Sequence, residues 1–86
     1  MEERLAEYVK GLGEREKKFL VVHEGTNPLR IEVRTDARLG KLLAGKYESV
    51  MRSRYFGKGG VEIVCSGQLS DDEIIDIVRL GWELSA

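Results

Sequence analysis

The chain has 86 residues, of which 42% are hydrophobic and 34% are charged, and its formal net charge is −1. This length predicts one domain over residues 1–86, with a core near the lower limit for independent folding, and the composition excludes intrinsic disorder. No apolar run approaches the roughly 20 residues that span a bilayer, and the first residues, Met1–Arg4, do not resemble a secretory signal. A single cysteine excludes an internal disulfide, so we expect a cytoplasmic protein.

The charge is unevenly distributed along the chain. Residues 28–60 carry eight basic and three acidic groups, whereas residues 61–86 carry one basic and six acidic groups. A basic middle and an acidic end are typical of an anion-binding face. They are equally typical of two segments that attract each other across the fold, or of separate solvated faces, and these simpler interpretations are favoured because charge asymmetry is a weak indicator.

The first third of the chain predicts a helix and then a hairpin. Apolar residues recur at helical spacing over residues 2–12. The segment Lys17–Glu24 contains a short apolar run typical of a strand, and residues 25–28 form a turn sequence. Apolar and charged residues then alternate over Leu29–Arg34, which predicts a half-buried strand with a charged outer face.

The middle of the chain predicts a second helix and a second hairpin. Asp36 is a suitable N-cap, and the apolar residues that follow it at helical spacing extend to Val50. Tyr55-Phe56, then Gly57–Gly60, then Val61–Ser66 predict two strands joined by a glycine-rich turn.

A helix over residues 71–84 has the clearest start signal in the chain. Ser70 and Glu73 have the spacing of a capping box, and Leu69 and Ile74 have that of a hydrophobic staple. The acidic residues of the first turn suit the positive end of the helix dipole. The predicted order is therefore α-β-β-α-(β)-β-α, an α+β fold with three helices and a small antiparallel sheet.

Most residues capable of chemistry have a simpler interpretation. His23, the only histidine, has no partner at the spacing of a metal motif, so an ordinary strand-end hydrogen bond is favoured. Cys65 is expected to be buried and unreactive. The glycines at 57–60 lead into a strand rather than a helix, unlike a phosphate-binding loop. Without a base–nucleophile pair or a ligand set, we expect no enzymatic activity, no cofactor and no metal.

One group of residues has a serious functional interpretation. Basic and aromatic residues interleave beside the predicted turn, a pattern that binds phosphates and stacks on bases. The candidate nucleic-acid-binding residues are Arg52, Arg54, Lys58 and Tyr55 (beside Phe56), extended by Arg30 and Arg34 on the outer face of the preceding strand. Alternatively, an aromatic ring packs into the core and the basic residues are merely solvated.

The chain from about Leu29 to Leu84 resembles the YjbR/MmcQ family, whose fold is described as CyaY-like. The resemblance rests on the strand and acidic helix start in Ile31–Asp36, the helix end in Lys46–Val50, the strand, glycine and capping box in Val61–Ile74, and the aromatic-leucine ending in Trp82–Leu84. In place of the family's Asn-Lys segment this chain has Tyr55–Val61, in which only Lys58 matches, which is typical of a shortened or distant member. The resemblance implies DNA binding, a role attributed to the family from a double-wing surface.

Two hypotheses follow for the function. The first is a small binding domain whose partner is DNA or RNA, held weakly through the basic residues. The second is a protein-interaction or self-associating module, either a homodimer or a complex with another protein, since a short sheet with a free edge invites pairing with a further strand. Neither hypothesis involves a membrane.

Overall fold

The computed structural model describes all 86 residues as three helices and one four-stranded sheet. The elements are α1 (Glu2–Gly11), β1 (Leu20–His23), β2 (Arg30–Arg34), α2 (Ala37–Lys46), β3 (Val50–Ser53), β4 (Gly57–Val64) and α3 (Asp71–Leu84). Neighbouring strands are antiparallel, in the spatial order β1-β2-β4-β3. The predicted α+β class, with three helices and an antiparallel sheet in this chain order, is confirmed. No helix has the length and apolar character that crossing a bilayer requires.

The hydrophobic core lies on one face of the sheet. Ile31 and Val33 of β2 pair with Ile63 and Val61 of β4, and none of the four has exposed surface. Because side chains alternate between the two faces of a strand, Glu32, which lies between Ile31 and Val33, points to the opposite face of the sheet.

All three helices cover this core face. A Cβ atom added to Gly81 of α3 would lie 2.9 Å from Val33, and one added to Gly40 of α2 would lie 3.5 Å from Val61. Leu5 of α1 belongs to the same core and is 1% exposed. We call the opposite side of the sheet the helix-free face.

The last helix begins as predicted, with a complete capping box. The hydroxyl of Ser70 accepts a hydrogen bond from the backbone N–H of Glu73 at 3.1 Å, and the Glu73 carboxylate accepts one from the backbone N–H of Ser70 at 3.0 Å. These bonds lower the pKa of Glu73. Along α3, Ile74, Ile75 and Val78 are buried, as their spacing predicted.

The predicted extent of the second helix was wrong. The helix ends at Lys46, and Val50 begins strand β3, where it pairs with Ile63 and is 3% exposed. Leu42, one of the apolar residues that recur at helical spacing after Asp36, is 63% exposed rather than buried. The apolar spacing up to Val50 fits a helix, but burial of Val50 against the sheet decides the outcome because packing overrides a local pattern.

The predicted glycine turn was also wrong. Gly57–Gly60 form the first half of β4, and the turn consists of the three preceding residues, 54–56. Gly57, with φ of +61°, takes the left-handed position that closes such a three-residue loop. At Gly60 a Cβ would lie 2.6 Å from Cβ of Phe56, so the missing side chain leaves space for this aromatic residue to lie on the helix-free face.

Replacing Ser70 with Ala should destabilise the protein by about 1 kcal/mol, because the N-terminal backbone N–H of α3 loses its acceptor. Ser66→Ala, at an exposed serine outside any helix, is the matched control and should leave stability within about 0.5 kcal/mol. Denaturant unfolding of both variants measures the difference, and equal stabilities would show that Ser70 does not support the helix.

Two helix glycines should respond to alanine in opposite ways. A Cβ at Gly81 would lie 2.6 Å from a backbone oxygen of β2, so Gly81→Ala should cost about 1–3 kcal/mol. Gly45 has open space around it, so Gly45→Ala should stabilise α2 by up to about 1 kcal/mol. Thermal melting distinguishes the two, and a stabilised Gly81→Ala protein would contradict the close contact between α3 and the sheet.

Candidate functional site

The six candidate residues from the sequence do not form one patch. Arg52 and Lys58 line a cleft on the helix side of the sheet, whereas Arg30 and Arg34 lie on the helix-free face. Arg54 and Tyr55 occupy the turn between β3 and β4.

The cleft lies between α2 and the β3–β4 hairpin and has a volume of about 440 Å³. We call it the basic cleft, and it is lined by small and basic residues only: Ala37, Gly40, Lys41, Ala44, Arg52, Lys58 and Gly60. Its floor is made of alanine and glycine, so a ligand is able to approach the backbone of α2 closely.

The cations of the basic cleft are available to a ligand. Lys41, Arg52 and Lys58 are exposed, and none of them forms an ion pair with a side chain of the protein. The acidic helix α3 packs on β1 and β2, whereas α2 packs on β3 and β4. The basic helix α2 and the acidic helix α3 therefore lie over different halves of the sheet.

Lys41 is the cleft residue that was not singled out from the sequence. On a helix, residues 37, 40, 41 and 44 share one face, and three of these positions are alanine or glycine. That row of small residues around one lysine was the available signal. These small residues mark the face of α2 that lies close to the sheet and lines the basic cleft.

The turn presents one aromatic ring to solvent. Tyr55 is 58% exposed, and its ring meets that of Phe56 edge to face, with centroids 4.9 Å apart. Phe56 is half-buried against Gly60. Nζ of Lys18 lies 5.6 Å from the centroid of the Tyr55 ring, so the exposed ring already has one cation beside it.

Arg30 and Arg34 have partners within the protein. The Arg34 side chain donates a hydrogen bond to the carbonyl oxygen of Lys18 at 2.9 Å, and its guanidinium lies 5.0 Å from the ring centroid of Phe56. Arg30 Nη1 lies 3.6 Å from a carboxylate oxygen of Glu62. Neither arginine extends the basic cleft.

The helix-free face carries a carboxylate that sequence reasoning missed. Glu32, expected on a charged outer face, is only 4% exposed. Its Oε1 accepts hydrogen bonds from the Ser53 hydroxyl at 2.7 Å and from the Tyr55 backbone N–H at 2.9 Å, while its Oε2 lies 2.8 Å from Nε2 of His23. Burial raises the pKa of Glu32, but the bonds from Tyr55, Ser53, His23 and the Arg54 backbone outweigh it and lower the pKa to about 2.

A second carboxylate lies directly beside the first. Glu62 of β4 pairs with Glu32 of β2 across the sheet and is also 4% exposed. In β1, Val21 pairs with Glu32, and His23 lies two residues after Val21 on the same side of the strand. The side chains of His23, Glu32 and Glu62 therefore all lie on the helix-free face. Their ligating atoms lie within 4.8 Å of one another. We call His23, Glu32 and Glu62 the carboxylate cluster.

The cysteine is less deeply buried than expected. Cys65 follows β4, has intermediate exposure and packs against the core cluster. Burial, followed by the charge of Asp71, raises the pKa of its thiol. A raised pKa disfavours the reactive thiolate at neutral pH.

Comparison of the chain with family models, curated proteins and solved structures found no match. The basic cleft, the exposed turn and the carboxylate cluster are therefore interpreted from their own geometry.

Two buried serines provide a test of the Glu32 network. Ser53 is 2% exposed, donates to Glu32, and accepts from the backbone N–H of Phe56 at 2.8 Å. Ser53→Ala should therefore destabilise the protein by about 1–3 kcal/mol, since two buried polar groups lose a partner. Ser49 has a buried hydroxyl with no partner, so Ser49→Ala should be neutral or stabilising. Equal unfolding free energies for the two variants would contradict the network.

Proposed function

We propose that this chain is a small, non-enzymatic cytoplasmic domain that binds the phosphate backbone of DNA or RNA through the basic cleft. The supporting observation is that Lys41, Arg52 and Lys58 converge on one cleft that no acidic side chain lines. Contacts between cations and phosphates supply most of the affinity of sequence-independent nucleic-acid binding. The overall charge of −1 limits the affinity to the weak range of such contacts, about 10⁻⁴–10⁻⁶ M.

The surroundings of the cleft suit an extended polyanion. The alanine and glycine floor leaves room for a phosphodiester chain beside α2. Arg54 and the exposed ring of Tyr55 lie in the turn that joins the strands of Arg52 and Lys58. An exposed aromatic ring beside cations is able to stack on an unpaired base, which favours single strands.

We also propose a distant relationship to the YjbR/MmcQ family, with its CyaY-like fold. The resembling segment, from about Leu29 to Leu84, corresponds to β2 through α3 and includes the capping box. The ligand attributed to that family, DNA, belongs to the class that the cations of the cleft attract. A shared fold alone does not determine function, so the proposal rests on the cleft.

Self-association is the second candidate. Leu80 and Leu84 lie one helical turn apart on α3 and are 48% and 50% exposed. Strands β1 and β3 form the two edges of the sheet, and edge strands offer unpaired backbone groups to a further strand. These features suit a second copy of the chain or another protein.

Replacing two cleft cations should weaken nucleic-acid binding. Three phosphate contacts on single-stranded DNA correspond to a slope of about −2 in a plot of log affinity against log salt. Arg52→Gln/Lys58→Gln should reduce the magnitude of this slope to below about 1 and weaken binding about tenfold at low salt. Fluorescence anisotropy with a labelled oligothymidine, measured over a series of salt concentrations, provides both values.

The matched control is Lys10→Gln/Lys17→Gln, which removes the same charge from exposed positions outside the cleft. It should leave both the slope and the low-salt affinity nearly unchanged. Equal losses of affinity in the two double variants would show that binding depends on the net charge of the protein and not on the basic cleft. No binding at low salt would contradict the proposal and favour self-association, which sedimentation velocity measures directly.

A further inference from the structure

We propose that the carboxylate cluster on the helix-free face is a binding site for one divalent transition-metal ion, with Nε2 of His23 and the carboxylates of Glu32 and Glu62 as its ligands. The three ligating atoms lie within 4.8 Å of one another, on three adjacent strands. The site is on the opposite side of the sheet from the basic cleft and does not depend on nucleic-acid binding.

The carboxylate cluster contains more negative than fixed positive charge. Glu32 and Glu62 are directly opposite each other on neighbouring strands, an arrangement that is unfavourable for like charges. Both are 4% exposed, so water screens their repulsion poorly. One guanidinium, that of Arg30, is the only fixed positive charge paired with the two carboxylates. The two carboxylates and Arg30 together carry a charge of −1, which a bound cation would compensate.

Glu62 receives no hydrogen bond from the protein. Its side chain is 5% exposed, yet its one partner is Arg30 Nη1 at 3.6 Å, which is too long for a hydrogen bond. No N–H or O–H group of the protein donates to this carboxylate. The Glu62 oxygens keep some contact with solvent, but the side chain is 5% exposed and lies within 4.8 Å of the ligating atoms of His23 and Glu32, which makes it a suitable ligand for a cation.

Hydrogen bonds from the protein already orient the Glu32 carboxylate toward His23. The Ser53 hydroxyl and the Tyr55 backbone N–H both bind its Oε1, which leaves Oε2 directed at Nε2 of His23, 2.8 Å away. Hydrogen bonds of this kind orient the carboxylate ligands of metal sites. An ion placed here would bind the lone pair of Nε2, with the ring proton on Nδ1, and would take the place of the hydrogen bond between Nε2 and Oε2.

The ligand set indicates the class of metal. One imidazole nitrogen and two carboxylate oxygens suit Zn²⁺, Mn²⁺ or Fe²⁺ better than Mg²⁺ or Ca²⁺, which prefer oxygen ligands alone. Metal–ligand bonds of about 2.0–2.2 Å require the side chains to move closer together. His23 is 36% exposed, so its ring has room to turn toward the ion, and the remaining coordination positions open to water.

The test uses the untagged full-length chain and ZnCl₂ as the probe. Calorimetric titration should show one Zn²⁺ per chain, and a concentration 100-fold above Kd should raise the Tm of the wild type by about 10–20 °C. His23→Gln and Glu62→Gln should each weaken binding by more than about 100-fold, beyond the loss expected from an outer-shell change. Glu24→Gln and Cys65→Ser, which leave the three ligands in place, should bind as the wild type does.

A second readout separates the metal site from an internal ion-pair network. Without metal, Glu62→Gln should raise the Tm, because it removes one of two facing carboxylates, whereas a network that needs Glu62 to neutralise Arg30 would be destabilised. Absence of Zn²⁺ binding at millimolar concentration, equal binding in the ligand variants, or a lower metal-free Tm for Glu62→Gln would each overturn the proposal.

Discussion

The hydrogen bonds made by one buried carboxylate connect β1, β2, β3 and the β3–β4 turn of this fold. Glu32 lies in the second strand, yet it binds a serine at the end of β3, the backbone of the β3–β4 turn and a histidine of β1. Hydrogen bonds to a charged acceptor are stronger than neutral ones, and here burial protects them from competition with water. The turn is therefore fixed in position. Because Arg52 and Lys58 flank this turn, the shape of the basic cleft depends on a contact made on the other side of the sheet.

The division of the molecule into two faces follows from the placement of its helices. All three cover the apolar face. The other face is covered by its own side chains and by the β3–β4 turn, and Lys18 of the segment before β1 contacts Arg34 and Tyr55. Phe56 of this turn lies over Gly60, and the guanidinium of Arg34 lies over Phe56. This arrangement engages the guanidinium of Arg34, which also donates to the Lys18 carbonyl oxygen. Polar groups that in an isolated strand would face water are buried here because the turn folds back over them.

The sequence predicted the elements that depend on local signals. The α3 capping box needs only Ser70 and Glu73, three residues apart in the chain, and the alternation in β2 needs only its own residues. The predicted position of the second hairpin turn was wrong, because glycine is common in turns and also occurs in a strand, such as β4, where the Phe56 ring packs against the backbone. Glu32 alternates like any outward-facing residue, and its burial comes from a turn more than twenty residues later. The carboxylate cluster draws one residue from each of three strands, so no short spacing reveals it.

The separate positions of the basic helix α2 and the acidic helix α3 explain how a protein with a net charge of −1 is able to present a cluster of cations. Free cations collect where α2 meets the β3–β4 hairpin, and most acidic groups of the last third lie on α3, over the other half of the sheet. Screening with a length of about 8 Å at physiological salt separates the two regions for a ligand held in the cleft. The buried carboxylates contribute little to that surface, since Arg30 partly neutralises them and a bound divalent ion would do so fully. The cations of the cleft would therefore attract a polyanion at close range, while the net charge of −1 would keep the affinity weak.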